Sequence, residues 1–383
     1  MRIKVAHVVT RLDLGGAQQN TLHTVRRLDP QRFETLLVCG RGGLLDDEVR
    51  ADSGVRAVFL DSLAREVSPV RDLLALLELQ KLFAAERPDV VHTHSSKAGI
   101  LGRLAAALAG VPVVVHTYHG FGFHDRQQFL VKGFYARLER LCARLTTQLV
   151  FVSRANEEYA RRHGIAAARP PVVIRSGVAL AGLPAKVDAP ALKRSAGIGV
   201  HKPLVVSIGN LKPQKNAGDL VEAAARVVRE VPDARFAFLG DGPGRRALEA
   251  RLFALGLRDQ FVLLGWRRDA AQWLAAADAF ALSSLWEGLP RALVEAMKSG
   301  LPCACYATDG VVDVIRDGAN GLLVPPGDAA ALAERLIRLL KDADLRRRLG
   351  AAAAASIGPE FDIDGMVRAQ EELYARLLGS RRA

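Results

Sequence analysis

Cysteine is scarce in this chain of 383 residues, and the four present, Cys39, Cys142, Cys303 and Cys305, form no Cys-x-x-Cys pair. That spacing argues against a zinc site and against a disulfide framework, and it fits a reducing compartment. Long apolar runs are missing too: nothing approaches the ~18 uninterrupted residues of a membrane-spanning helix. The apolar start, Met1 to Thr10, is broken by Lys4 and His7, is too short for a signal-peptide core, and reads as a strand. The first turn after that strand lacks the Gly-x-Gly-x-x-Gly of a dinucleotide site. No Asp-x-Asp follows a strand-like run, so neither a metal nor a resident cofactor is expected. No stacking-aromatic motif accompanies the basic residues, which speaks against a nucleic-acid partner.

What is present is a globular composition, half hydrophobic and a quarter charged, long enough for two domains. The formal charge of +12 is uneven: residues 1–187 hold 26 Lys and Arg against 17 Asp and Glu, and so carry +9 of it. An anionic partner suits that half, such as a membrane surface or a phosphorylated acceptor; arginine used simply for solubility is the plainer reading.

Short β-rich runs alternate with helical stretches. The first series of strands is Ile3–Val9, Phe33–Cys39, Val55–Leu60, Asp89–His92, Val111–Thr117 and Leu149–Ser153. After Gly177 the pattern loosens around Pro184, Pro190, Gly197 and Gly199. A second series follows at Leu204–Gly209, Ala234–Leu239, Phe261–Leu264, Ala279–Ser283, Cys303–Tyr306 and Leu322–Val324. Continuous apolar strands fit parallel sheets covered on both faces, so two doubly wound α/β domains are expected, with ligands at the carboxyl ends of the strands and in the cleft between domains.

The densest chemistry lies between Ser283 and Pro302, in Ser-Ser-Leu-Trp-Glu-Gly-Leu-Pro-Arg-Ala-Leu-Val-Glu-Ala-Met-Lys-Ser-Gly-Leu-Pro. Pro290 suits the first turn of a helix that runs through Leu293, Val294 and Met297 and ends at Gly300. Glu287 falls in the loop before the helix and Glu295 on it. Gly288, Leu289 and Pro290 let a ligand approach the backbone, and the helix start offers unpaired N–H groups to an anion. A surface helix with an acidic first turn is the plainer reading, but an exposed Trp286-Glu287 then needs a reason.

Other candidates sit where strands meet loops. Gly15 and Gly16 follow the first strand and can bring backbone N–H groups to a phosphate. His92, His94 and Lys97 follow the fourth. The His-x-His pair has no carboxylate cluster beside it, which disfavours metal, and the group reads as lining of the cleft, where Lys97 could meet a phosphate or simply be a solvated lysine at a helix start. His119 precedes Gly120 at the end of the fifth strand, where a neutral imidazole can donate to a sugar hydroxyl or a phosphate oxygen. The loop from Phe121 to Val131 mixes aromatic and basic residues and could enter a lipid headgroup layer. The next stretch repeats Phe134, Leu138, Leu141 and Leu145 at helical spacing and reads as a core-packed helix with Arg137, Arg140 and Arg144 outward. In the second half, Asn210, Lys212 and Lys215 lie in a turn suited to clamping a diphosphate, and Gly242 lies in a Gly-Asp-Gly turn.

In combination these motifs resemble the retaining glycosyltransferases of family 4, of the kind that builds bacterial cell-surface polysaccharide and lipopolysaccharide. The likeness rests on the two glutamates with seven residues between them, the first in Glu-Gly-Leu-Pro, on His119-Gly120, on Lys215 and on the Gly15-Gly16 turn, and it spans essentially the whole chain. It implies a GT-B fold: an acceptor-side Rossmann-like domain over 1–180, a nucleotide-sugar domain over 181–360, and a final helix, 361–383, that packs back on the first. It implies catalytic roles for Glu287, His119 and Lys215. Donor contacts are implied at Gly15, Gly16, Asn210, Lys212, Gly242, Gly288, Leu289, Pro290 and Glu295, with His94, Lys97 and Phe121 toward the acceptor. Glu287 would meet the donor sugar and Glu295 the ribose. The expected reaction is metal-independent transfer from a nucleotide diphosphate sugar, a UDP-sugar by this reading, to a glycan or polyprenyl-diphosphate-linked sugar at the inner face of the cytoplasmic membrane. One departure stands out: the family's arginine before the lysine is here Asn210. Same-fold epimerases or phosphorylases, or a non-catalytic sugar-nucleotide binder, are the competing classes; intact Glu287, Glu295, His119 and Lys215 argue against the last.

Overall fold

The structure, a computed structural model, describes residues 2–184 and 187–382. The chain divides into two compact units, Met1–Gly177 together with Asp362–Ala383, and Val178–Phe361.

The first unit is built on a seven-stranded parallel sheet. Its strands are β1 (Ile3–Arg11), β2 (Phe33–Gly40), β3 (Ala57–Leu60), β4 (Val90–His94), β5 (Val113–Tyr118), β6 (Gln148–Phe151) and β7 (Val172–Val173), in the order β3-β2-β1-β4-β5-β6-β7. Six of these match the apolar runs expected from sequence. The shifts have local causes. Val55 is held in a turn, its N–H donating to Asp52 O, so β3 starts late. Gly110, at φ +68°, closes the helix Ser96–Leu108, and Pro112, which has no N–H, precedes β5. The seventh strand, two residues long behind Pro170-Pro171, is too short to leave a pattern.

The last helix, Ile363–Arg382, belongs to this unit. Met366, Val367, Leu373, Tyr374 and Leu377 pack on Val5, Phe33, Val90, Val113 and Val115, as its apolar spacing implies. The Tyr374 hydroxyl lies 2.5 Å from His92 Nδ1, and Asp29 N donates to Glu371 at 2.8 Å.

In the second unit a six-stranded parallel sheet has the order β10-β9-β8-β11-β12-β13. The strands are β8 (Leu204–Ile208), β9 (Arg235–Leu239), β10 (Phe261–Gly265), β11 (Ala279–Leu282), β12 (Cys303–Tyr306) and β13 (Leu322–Val324). The helices Ala217–Glu230 and Ala329–Lys341 pack Leu220, Val221, Val227, Leu332, Leu336 and Leu339 on Phe236, Phe238 and Ala281. All four cysteines are buried thiols; burial pushes Cys39 up to about 12 and raises the other three.

The two strand orders position the candidate site. Each reverses beside its first strand, β1 next to β4 and β8 next to β11, and a doubly wound sheet opens a crevice at the carboxyl end of that reversal. The loops leaving β1, β4, β8 and β11 carry the Gly15-Gly16 turn, His94 to Lys97, Asn210 to Lys215 and Ser283 to Pro290 respectively. Sequence motifs and topology therefore select the same places.

Candidate active site

In the second unit two loops at the sheet reversal are sewn together. Leu285 N donates to Gln214 O at 2.9 Å, Gln214 Nε2 donates to Trp286 O at 3.0 Å, and the Ser283 hydroxyl reaches the carbonyls of Lys215 and Asn216 at 3.1 and 3.0 Å. That stitching brings the Lys215 ammonium onto the Glu287 carboxylate. Glu287 is only 7 % exposed, so the expectation of an exposed Trp286-Glu287 pair is corrected: the carboxylate is buried and charge-compensated by Lys215. The Glu287 N–H is also used, donating to Asp309 Oδ2 at 2.9 Å. Gly310 allows this approach, because a Cβ there would stand 1.8 Å from the Gly288 carbonyl oxygen.

The helix after Glu287 runs Arg291–Lys298, with Pro290 just ahead of its first turn. Leu293, Val294, Ala296 and Met297 are fully buried, so this is a core helix rather than a surface one. Its start follows Gly288, Leu289 and Pro290. Glu295 faces Arg291 with 3.8 Å between Oε1 and Nη2. Burial raises the Glu295 pKa and lowers that of Arg291, and each partner's charge opposes the shift. Asn210 lies in the turn after β8, its Oδ1 buried without a partner among the described residues. Leu211 N donates to Asp241 O at 3.0 Å, which sets Gly242 against the Leu211 backbone, and Lys212 N donates to Asn210 O at 2.9 Å.

In the first unit Gly15 precedes the helix Gly16–Arg27 with an extended backbone, and its N–H donates to Asp13 O at 2.9 Å. Lys97 is held: its ammonium is 2.5 Å from Asp72 Oδ1 and also meets the Glu66 carbonyl. Phe121 stacks on Tyr118 at 4.7 Å between ring centroids and packs against Phe123 and Tyr159.

His94 is buried at the end of β4, and His119 follows β5, where Gly120 at φ +133° turns the chain. Their rings meet, with 3.1 Å between His94 Nδ1 and His119 Nε2. His7 on β1 meets the other side of His94, with 3.1 Å between His7 Nδ1 and His94 Nε2. His92 pairs with His7 across the sheet and lies 2.7 Å from the Thr117 hydroxyl. Burial pushes His7 down to about 3 and holds His92, His94 and His116 well below the usual imidazole range, so all four are neutral at pH 7. Ligand atoms of His7, His92 and His94 lie within 4.8 Å of one another, and no carboxylate belongs to the group. A pocket beside these rings is lined by Asn20, Thr117, His119, Arg175 and Gln370 among others.

Sequence reasoning missed His7 and Asp309 as members of these clusters. Asp309 shows only as one half of a turn. His7 had a signal that went unused: it lies two residues before the end of an apolar run, level with His92 once β1 and β4 pair. Four non-glycine described residues have positive φ, and three of them, Ser95, Asn216 and Asp309, adjoin or bond to His94, Lys215 and Glu287. Such conformations cost of order 1–3 kcal/mol and collect at functional sites.

The family model described as "Glycosyl transferases group 1" matches residues 188–356, and that described as "Glycosyl transferase 4-like domain" matches 15–177. An Escherichia coli protein, UDP-Gal:alpha-D-GlcNAc-diphosphoundecaprenol alpha-1,3-galactosyltransferase, is 36% identical over 345 residues, 89% of each chain. A Streptomyces fradiae protein, 2-deoxystreptamine N-acetyl-D-glucosaminyltransferase, is 31% identical over 300 residues, 74% of this chain and 70% of that one. Among solved structures, sucrose-phosphate synthase of Thermosynechococcus elongatus superposes with a TM-score of 0.85 at 21% identity, over 99% of this chain and 100% of that one. Anabaena HepE in complex with UDP and glucose superposes at 0.83 and 20% identity, over 98% and 100%.

Proposed function

Because the chain belongs to the family 4 type of glycosyltransferases and has their GT-B fold, we propose that it transfers a sugar, with retention and without a metal, from a UDP-sugar to a polyprenyl-diphosphate-linked sugar during polysaccharide assembly. The observation that carries this reading is the pairing of Lys215 with the buried Glu287 carboxylate on two loops stitched together at a sheet reversal. The E. coli relative, whose name specifies UDP-Gal and a diphosphoundecaprenol-linked acceptor, supports the donor and acceptor classes.

The chemistry asked of the residues is electrostatic. As the bond from the sugar's anomeric carbon to the diphosphate breaks, its electron pair stays on the phosphate oxygen. Lys215 and the N–H groups at the start of the helix Arg291–Lys298 stabilise that charge. Glu287, oriented by Lys215 and Asp309, accepts from hydroxyls of the donor sugar, and Glu295 accepts from the ribose. The acceptor hydroxyl attacks from the face the diphosphate leaves and passes its proton to a departing phosphate oxygen. His119 orients the donor by donating a hydrogen bond. Asn210 contributes an amide but no charge, which concentrates side-chain compensation on Lys215.

A lipid-linked acceptor calls for work at a membrane surface, and the first unit has a face suited to it. Here two expectations are corrected. Phe121 and Phe123 do not point outward but join the buried aromatic cluster with Tyr118, Phe151 and Tyr159. Of the residues expected to pack the helix Phe129–Arg144 into the core, Phe134 and Leu141 are 62 and 52 % exposed, while Phe129 and Leu130, in the stretch expected to meet lipid, are 85 and 81 % exposed. Its inner face is Ala136, Cys142 and Ala143, with Glu139 paired to the buried Arg103 at 2.6 Å. Small residues let the helix lie close to its neighbours and turn its bulky ones out. Val67, ahead of the helix Pro69–Glu86, and Val70, Leu73 and Leu74 in its first turns are exposed as well. Apolar residues beside Lys132, Arg137 and Arg140, on the more basic half of the chain, fit an anionic lipid surface. Among the described residues no helix is long and apolar enough to cross a membrane, so we assign peripheral attachment at the inner face of the cytoplasmic membrane.

The deciding experiment incubates the enzyme with UDP-sugars and a short-chain polyprenyl-diphosphate-GlcNAc acceptor, with product anomeric configuration read by NMR. An α-linked product from an α-linked donor supports the proposal. Conversion of the UDP-sugar without acceptor would instead make the protein an epimerase.

A further inference from the structure

A buried polar atom without a hydrogen bond is costly, and native proteins keep few of them. In the second unit three such side-chain oxygens stand at the carboxyl edge of the sheet: Asn210 Oδ1, Ser284 Oγ and Thr308 Oγ1, none with a partner among the described residues. Ser284 is 1 % exposed and Thr308 6 %. Each lies two residues past the end of its strand, β8 at Ile208, β11 at Leu282 and β12 at Tyr306, and these strands are neighbours in the order β8-β11-β12. Ala279 pairs with Val205, so five residues further along each chain Ser284 comes level with Asn210. Leu282 pairs with Cys305, so Thr308 stands one residue beyond that level.

All three belong to segments tied to Glu287. Asn210 opens the loop whose Lys215 ammonium pairs with that carboxylate, and Ser284 lies three residues before it. Thr308 precedes Asp309, whose Oδ2 accepts from the Glu287 N–H at 2.9 Å. Local structure does not use the two hydroxyls. Ser283, not Ser284, reaches the carbonyls of Lys215 and Asn216. Thr308 stands at the N-cap of the short helix Asp309–Val312 without capping it through its side chain. A threonine there ordinarily gives its oxygen to an N–H of the first turn, so this oxygen is left over once the helix has formed.

The chemistry of the set selects its ligand. Lys215 and Glu287 compensate each other's charge, and the three further groups are neutral. An amide oxygen only accepts, whereas each hydroxyl can donate one hydrogen bond and accept others. A phosphate without a proton offers an amide oxygen nothing; a polyol offers a donor and an acceptor at every hydroxyl. We propose that Asn210, Ser284 and Thr308 form a hydroxyl-reading cradle around Glu287 that selects which sugar is accepted on the donor. The inference rests on the function proposed above for the donor being a UDP-sugar; it adds which residues tell one sugar from another, and it assigns Asn210 to the sugar rather than the diphosphate. A rotation about χ1 re-aims Ser284 or Thr308 without moving the backbone. A site built to hydrogen-bond a substrate hydroxyl discriminates against an analogue that lacks it.

The test is calorimetric titration of the full-length protein with UDP and with UDP-galactose, UDP-glucose and UDP-N-acetylglucosamine, beside thermal unfolding without ligand. The wild type is compared with Asn210→Ala, Ser284→Ala and Thr308→Val. Each variant should lose about three- to tenfold in affinity for the sugar nucleotide the wild type binds best, the usual effect of losing one hydrogen bond, while UDP stays within about twofold. Thr308→Ser, which keeps the hydroxyl, should bind that sugar nucleotide more tightly than Thr308→Val. Because their oxygens have no partner in the free protein, Ser284→Ala and Thr308→Val should leave the unfolding midpoint unchanged or raise it. Equal losses for UDP and for the UDP-sugar would put these residues on the nucleotide and overturn the proposal. Undiminished sugar-nucleotide binding would overturn it too, leaving only water for the three oxygens. So would a midpoint lowered by several degrees, or a serine or threonine variant that fails to fold, since either gives the oxygen a partner within the protein. A wild-type protein that binds none of the three UDP-sugars would instead sink the proposed function, and this inference with it.

Discussion

Removing the Lys215 ammonium should damage stability and turnover by separable routes. In the free protein its partner is Glu287, 7 % exposed, so Lys215→Ala leaves a carboxylate in the protein without its counter-charge. Breaking one side of a buried pair costs about 3 kcal/mol at the lower end of the usual range. For a domain of this size each kcal/mol moves the midpoint by about 2–4 °C, so the second unit should lose roughly 6–12 °C. During transfer the same ammonium faces the departing diphosphate. Losing one preorganised donor to a developing anion costs on the order of 2.7–4 kcal/mol, or about a hundredfold or more in kcat. The double variant Lys215→Ala/Glu287→Gln separates the two effects. Neutralising position 287 removes the orphaned charge and should recover most of the lost midpoint, whereas turnover should stay as low as in Lys215→Ala or fall further. Thermal unfolding by circular dichroism and initial rates with saturating UDP-sugar measure both. Lys212→Ala, in the same loop but outside the pair, should cost much less in both assays. A Lys215→Ala enzyme within about threefold of wild type would refute the reasoning and move the diphosphate elsewhere. Equal damage from Lys212→Ala would show that Lys212 fills the place left by Asn210.

Further outcomes are expected. Glu287→Gln should reduce turnover while UDP still binds, and Glu295→Ala should weaken UDP itself; calorimetry showing the reverse order would reject the roles given to the two carboxylates. Exhaustive chelation should leave activity intact, and loss restored by manganese would end the metal-free reading. Binding to anionic vesicles should fall steeply with salt, and Phe129→Ser/Leu130→Ser should weaken it; equal sedimentation with neutral and anionic vesicles would count against membrane attachment. Acid should destabilise the first unit. His7, His92, His94 and His116 are held neutral in the fold but take up a proton near 6.5 when unfolded. The unfolded state therefore binds more protons, and stability falls as pH drops below 6.5 toward the depressed folded values. Four such groups cost about 5 kcal/mol between pH 7.5 and 5.5, at about 1.4 kcal/mol per group per pH unit once below 6.5. Denaturant midpoints for the first unit that agree at the two pH values would contradict the burial of these rings.

Much of this protein was determined by sequence alone, because parallel strands buried on both faces need continuous apolar runs, and twelve of the thirteen strands left them. The Glu287–Glu295 spacing, the helix after Pro290 and the apolar side of the last helix were legible for the same reason: each is a pattern within one segment. Tertiary structure decided everything that depends on which segments meet. Lys215 and Glu287 are 72 residues apart in sequence, and only the neighbouring positions of β8 and β11 make them a pair. His7 looked like an interruption in a strand until β1 was set beside β4, which placed it against His94. The helix Phe129–Arg144 misled because periodicity reports that a helix has two faces and not which one the fold covers. Here the small residues and the buried Arg103–Glu139 pair claimed the interior, and Phe134 and Leu141 were left outside.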